Sequence, residues 1–234
     1  VWFVPTRGRP ERLQKFLDAC VETKMSMPGL IVIDGSDQDS GDYSKVQIPS
    51  NWAIRRANDR AEVCGRMEEY FKENQQAKFY SIINDDVVPE TPYWDVILAE
   101  SAGDWNISYP YDTISVDKEC PPEIPWRSIA TQFVVGGKLC RGVGSLSLGF
   151  IHTMVDRAWM NIGDALGNLY FHEKIRLRHE HWSSGFVKRD KTYERRFSGI
   201  NTISFDKLRY QQWKDKELNV LVERLKGVIP NEHQ

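Results

Sequence analysis

Apolar positions in this chain follow two rhythms, and their alternation predicts the architecture. Val1 to Val4 is a short unbroken apolar run, read as a buried strand. It leads into the turn-rich segment Pro5-Thr6-Arg7-Gly8-Arg9-Pro10. Leu13, Phe16, Leu17 and Cys20 then recur at helical spacing, and Pro10 suits the first turn of that helix. Leu30 to Ile33 is a second strand ending at Asp34, and Trp52 to Ile54 is a third. Residues 37–50 form a polar loop in which Asp37 and Asp39 are read as solvated acids. Ala61 to Asn74 places Val63, Met67, Tyr70 and Phe71 on one helical face. Phe79 to Val88 is read as one further strand. Strands alternating with helices in this order predict an α/β open sheet.

The second half is less regular. Trp94 to Leu98 reads as helix, Ile107-Ser108-Tyr109 as strand, and Phe133-Val134-Val135-Gly136-Gly137 as a strand entering a turn. Leu146 to Trp159 reads as a loop entering a helix, with a break from Gly163 to Gly167. Ile175 to Trp182 alternates as a strand, and a basic loop comes after it over 185–196. Phe205 to Leu225 reads as an amphipathic helix that covers the body or pairs with a second copy. No internal repeat is present.

The chain has 234 residues, 41% hydrophobic and 27% charged, enough for one sizeable core. A net charge of −2 argues against a generic polyanion binder. Cys20, Cys64, Cys120 and Cys140 form no CxxC pair, so neither a zinc site nor a disulfide framework is expected, and reduced thiols fit a cytoplasm. No apolar run approaches the roughly 20 residues of a membrane span, and no secretory signal is visible.

The chemistry concentrates at predicted strand ends. In an open α/β sheet ligands bind beyond the carboxyl ends of the strands. Pro5-Thr6-Arg7, Asp34 and Asn84-Asp85-Asp86 all fall at such ends. Two adjacent carboxylates repel one another unless a cation lies between or beside them. A hard divalent ion, completed by substrate phosphates, answers that need. Arg7 and Arg9 suit a diphosphate, and positive charge beside a helix start is otherwise disfavoured by the dipole. His179 and His181 alternate about Glu180, so both project from one face of a strand.

Several pieces occur in a shared order: Val4-Pro5-Thr6-Arg7-Gly8-Arg9-Pro10, Asn84-Asp85-Asp86 with Pro89-Glu90-Thr91-Pro92-Tyr93-Trp94-Asp95, His152 with Asp156 and Trp159, Ile162-Gly163 with Leu166-Gly167, Arg178-His179-Glu180-His181, and Asp190-Lys191-Thr192-Tyr193. In that order the chain resembles the GT-A class of nucleotide-sugar glycosyltransferases, and among them small phage-associated enzymes. The resemblance covers nearly all of residues 1–196. It implies a GT-A, Rossmann-like open mixed sheet flanked by helices, with a glycosyltransferase domain over 1–200 and a C-terminal helical extension over 201–234. Within that domain, residues 1–100 form the nucleotide-binding half and 101–200 the acceptor-binding half.

The resemblance also implies roles. Asp86, as the last acid of its triplet, touches Mn²⁺ or Mg²⁺, with His181 or His179 completing the shell. Pro5, Thr6, Arg7, Arg9, Asp34, Asn84 and Asp85 hold the nucleotide sugar, a UDP-sugar being favoured. Asn84 departs from the usual Asp or Gly that opens the triplet. Asp156 matches the catalytic base of inverting members. On the acceptor side, beside His152, Trp94, Trp159 and Trp182 offer stacking surfaces for a sugar or a base. The basic strip over 174–196, with Lys188, Arg189 and Lys191, reads either as a track for a phosphate backbone or as an ordinary solvated face. The acceptor implied is a hydroxymethylated pyrimidine in DNA, flipped or single-stranded, and the location is the cytoplasm, that of the host for a phage enzyme. A glycan or small-molecule acceptor is the alternative. A nucleotidyltransferase and a non-catalytic binding module are the rival classes; the first usually carries a Lys in the loop after strand one, which this chain lacks.

Overall fold

The structure is a computed structural model that describes residues 1–35, 42–58, 61–113, 127–182, 187–188 and 202–230. Its strands are β1 (Trp2–Thr6), β2 (Gly29–Ile33), β3 (Trp52–Arg56), β4 (Phe79–Ile82), β5 (Val87–Pro89), β6 (Ile107–Asp112), β7 (Val134–Gly136) and β8 (Leu169–His179). They form one sheet in the order β3-β2-β1-β4-β7-β6-β8-β5. β1, β2, β3 and β4 run parallel, β7 is antiparallel to both β4 and β6, and β5 is antiparallel to β8.

The helices are α1 (Pro10–Glu22), α2 (Val63–Glu73), α3 (Trp94–Ala102), α4 (Gly137–Val143), α5 (Val155–Leu166), α6 (Thr202–Lys216) and α7 (Leu218–Lys226). They cover both faces of the sheet. Trp2, Val4, Ile31 and Ile33 point to the side of α1 and α3, where they meet Leu13, Phe16, Leu17 and Leu98. Phe3, Val32, Tyr80 and Val135 point to the other side, against α2, α4, α5 and the C-terminal helices. Coverage on both faces explains why these strands read as unbroken apolar runs rather than alternating ones.

Three sequence expectations need correction. The stretch from Phe79 to Val88 is two strands. β4 ends at Ile82, the chain turns through Asn84-Asp85-Asp86, and β5 lies at the far edge paired to β8. Gly163 is no break, because α5 runs through it. A Cβ there would lie 2.9 Å from the Leu169 Cβ and 3.1 Å from the Ile107 Cδ1, so glycine permits the helix to approach the sheet closely. The helix ends at Gly167, whose φ of +70° is the left-handed conformation that glycine adopts freely. The C-terminal segment is two helices meeting at Glu217, and Tyr210, Trp213, Val222, Leu225 and Ile229 belong to the main core. Outward, α6 and α7 leave Phe205, Leu208 and Val220 exposed. None of the described helices is long and apolar enough to cross a membrane.

Candidate active site

The chain reverses its direction across the sheet at β1. It builds β2 and β3 on one side, then returns to place β4 on the other. The crevice beyond the carboxyl ends of β1 and β4 is therefore the topological switch point, where open sheets bind ligands. Thr6, Asp34, Asp85 and Asp86 all lie there and are all buried.

Asp85 is held from two sides. The Thr6 hydroxyl donates to its Oδ2 at 2.6 Å and Arg9 donates to its Oδ1 at 3.2 Å. Since the Thr6 proton is committed to Asp85, Tyr43 must donate in its 2.9 Å contact with Thr6 Oγ1. The Tyr43 oxygen in turn accepts the Arg9 backbone N–H at 3.2 Å. Burial raises the Asp85 pKa, the Arg9 charge lowers it, and neighbouring Asp86 raises it again.

Asp86 is where positive charge converges. Arg9 is 3.4 Å and Arg12 3.7 Å from its Oδ2, while His179 Nε2 is 3.1 Å from its Oδ1. The other ring nitrogen of His179 lies 2.8 Å from Asp112 Oδ2, which also accepts from Thr131 Oγ1. The imidazole is thus fixed between two carboxylates. Burial alone would lower its pKa, but the hydrogen bonds and charges of Asp112 and Asp86 lift it to about 10. β5 helps bring these groups together: Val87 pairs with His179, and the Glu180 N–H donates to the Asp86 carbonyl at 2.7 Å. Arg12, Asp112 and Thr131 do not stand out in the sequence. Asp112 nonetheless carries the same signal as Asp34, an acid at a strand's carboxyl end.

The remaining donor-side residues surround this centre. Asp34 pairs with Arg7 and lies 3.8 Å from Arg66, and Arg7 also donates to the Ala61 carbonyl at 3.0 Å. The mismatch of Arg7 and Arg9 with the start of α1 is resolved by these carboxylates. Pro5 lies within β1, opposite Val32. The Asn84 N–H donates to Gln132 Oε1 at 2.8 Å. His181 lies just past the end of β8, its ring centroid 5.8 Å from that of His179, the imidazole that meets Asp86.

Asp156 sits in the first turn of α5 and stays partly exposed. Its Oδ1 accepts the Arg157 N–H at 2.8 Å. Burial raises its pKa; the N–H and charge of Arg157 pull it down; the charge of Asp112 pushes it up. His152 is partly buried, with Nδ1 2.9 Å from Glu62 Oε2.

Two proposed acceptor surfaces lie in the core. Trp94 is fully buried against Trp2, with ring centroids 4.5 Å apart. Trp159 is fully buried too, donating Nε1–H to the Leu146 carbonyl at 2.9 Å. Neither has a ring face to offer an acceptor. Trp159→Ala is therefore expected to cost about 3–5 kcal/mol of stability, measured by denaturant unfolding; a loss of acceptor affinity with unchanged stability would place the ring in the binding site instead. Trp182 keeps partial exposure beside His181, and Lys188 is exposed. Arg189 and Lys191 lie outside the described residues.

No protein-family profile matches the chain, and no curated protein matches it in sequence. Solved structures do match in fold. TarS of S. aureus aligns with a TM-score of 0.51 at 10% identity over 76% of this chain. Its 1–349 fragment in complex with UDP gives 0.53 at 9% identity over 76%. The fold is the Rossmann-like one of GT-A and nucleotidyltransferase structures. A protein of Bacillus anthracis assigned as a glucose-1-phosphate thymidylyltransferase, in complex with a sucrose, gives 0.50 at 8% identity, covering 82% of this chain and 98% of that one. The chain spans 36% of TarS and 59% of its 1–349 fragment.

Proposed function

We propose that the chain is a glycosyltransferase that moves a sugar from a nucleoside-diphosphate sugar, UDP-linked, to an acceptor hydroxyl with inversion. The observation that carries this reading is the line Asp86–His179–Asp112 at the β1/β4 switch point. The UDP-bound TarS neighbour and the order of motifs support the same reading.

A divalent cation fits the donor chemistry. Among the described residues no group of three or more His, Cys, Asp or Glu side chains is arranged as a metal cage. Asp86 Oδ1 and His179 Nε2 nonetheless lie 3.1 Å apart, and Asp112 orients the imidazole from behind, as carboxylates do for metal-binding histidines. Two protein donors suit Mn²⁺ or Mg²⁺ when substrate phosphates and water supply the rest. When bound, such an ion neutralises the leaving nucleoside diphosphate. The chain's own residues do the remaining work. Arg9 and Arg12 supply fixed positive charge beside the diphosphate. Asp34 presents a carboxylate to the nucleoside. Asp156 accepts the proton of the attacking hydroxyl as the bond to the anomeric carbon forms.

For the acceptor we propose the hydroxymethyl group of a modified pyrimidine in DNA, supported by the resemblance and by the exposed cations Lys174 and Lys188. Arg176 and Arg178 add little, since Glu90 engages both and Glu180 also engages Arg178. The test is mass spectrometry of hydroxymethylated DNA, glycans and small hydroxylated acceptors incubated with nucleotide sugars and Mn²⁺. The expected result is one added hexose-class mass on DNA and release of nucleoside diphosphate. Transfer only to glycans would move the acceptor class. Release of pyrophosphate from a nucleoside triphosphate and a sugar phosphate would replace glycosyl transfer by nucleotidyl transfer.

A further inference from the structure

The C-terminal helices reach into the proposed site through one side chain. Asp206, the fifth residue of α6, is fully buried. Its Oδ1 accepts the Ile151 N–H at 2.9 Å, and its Oδ2 accepts the His152 N–H at 2.8 Å, the Thr153 N–H at 2.7 Å and the Thr153 hydroxyl at 3.2 Å. Three successive backbone N–H groups thus converge on one carboxylate, a concavity of the kind that binds anions. Here the anion comes from 55 residues downstream of Ile151.

This nest leads directly into α5. Met154 takes a φ of +69°, a left-handed conformation that a non-glycine residue holds only where its surroundings fix it. Val155 then opens the helix, with Asp156 in its first turn. The path by which the chain enters α5 therefore depends on the anchoring of 151–153. Three further contacts hold α6 along this region: the Tyr210 hydroxyl accepts from Asn161 Nδ2 at 2.8 Å, and the rings of Tyr210 and Trp213 each pack 6.5 Å from Phe150.

Resting on the assignment of Asp156 above, we propose that Asp206 is a positioning residue that sets the carboxylate of Asp156 toward the acceptor hydroxyl, making α6 part of the catalytic unit. The choice of a carboxylate matters. It offers two acceptor atoms and no donor, which three N–H groups and a hydroxyl require, whereas a carboxamide offers one acceptor oxygen and adds donors of its own.

The test compares Asp206→Asn with Asp156→Asn in the full chain. Expected for Asp206→Asn is a transfer kcat lowered by about 10- to 100-fold, the cost of roughly 1 Å of misplacement, with an unchanged donor KM and an unchanged UDP-induced rise in Tm. A folded Asp206→Asn protein with the parent kcat would overturn the proposal. So would a fall in UDP binding in step with kcat, since that is general damage. Where Asp206→Asn does not fold, Thr153→Val removes only the hydroxyl contact and is expected to lower kcat in the same direction by less; a normal kcat there overturns the proposal. Loss of transfer in Asp156→Asn beside normal transfer in Asp206→Asn refutes only the positioning role, whereas normal transfer in Asp156→Asn removes the assignment on which both rest.

Discussion

Asp156→Asn is expected to reduce sugar transfer by about 10²- to 10⁴-fold, the range that loss of a general base produces, while UDP binding persists. The substitution keeps the shape and the contact with the Arg157 N–H, and removes only the proton acceptor. Burial raises the pKa of Asp156, against the N–H and charge of Arg157, and the charge of Asp112 adds to the rise. A raised pKa makes the carboxylate a stronger base at neutral pH. The transfer rate should therefore rise with pH through the Asp156 pKa, and that limb should vanish in the variant. Measurement of kcat against pH, with UDP-induced thermal shifts as the control for donor binding, decides the matter. Parent-like transfer would leave Asp156 as a structural residue in the first turn of α5, accepting the Arg157 N–H.

Much of the first half is legible in the sequence because both its strands and its helices carry strong periods. Leu13, Phe16 and Leu17 define α1, and the runs at Val1–Val4 and Leu30–Ile33 fall within or beside β1 and β2. The two-strand nature of 79–88 is hidden because β4 and β5 are both short apolar runs, and only pairing partners tell them apart. α4 leaves little periodic signal because it spans seven residues and contains two glycines. The aromatic residues are ambiguous for a different reason. Eight Trp in the sequence state that large rings are present, not which way they face. Trp94 and Trp159 face the core, and only packing against Trp2 and Phe133 reveals it. At the site, the strand-end acids are visible from spacing. The groups around them are not: Arg12 meets Asp86, Thr131 meets Asp112, and Gln132 meets the Asn84 backbone through tertiary proximity that no local pattern encodes.

Asp86→Ala is expected to abolish both transfer and the Mn²⁺-dependent part of the UDP-induced rise in Tm, since only binding to the folded protein stabilises it. The same centre predicts a pH signature. With no cation bound, His179 holds its proton up to a pH of about 10, because the bonds to Asp112 and Asp86 outweigh the opposing effect of burial. A metal-binding imidazole must be neutral, so uptake of the cation expels that proton. Mn²⁺ affinity in the parent should then rise about tenfold per pH unit between roughly pH 6 and 8, one proton being released per ion bound. The stability contribution runs the other way. A histidine whose pKa is raised from 6.5 on folding stabilises the protein fully below that value and loses the contribution as pH rises through about 10. Removing Asp86 takes away one of the two carboxylates that hold the proton, so the alkaline loss of metal-free stability should begin at a lower pH. Thermal melts of parent and variant across that range, with and without Mn²⁺ and UDP, read both effects. A variant that keeps the Mn²⁺ response would show that the cation lies elsewhere, leaving Asp86 as the acidic partner of Arg9, Arg12 and His179.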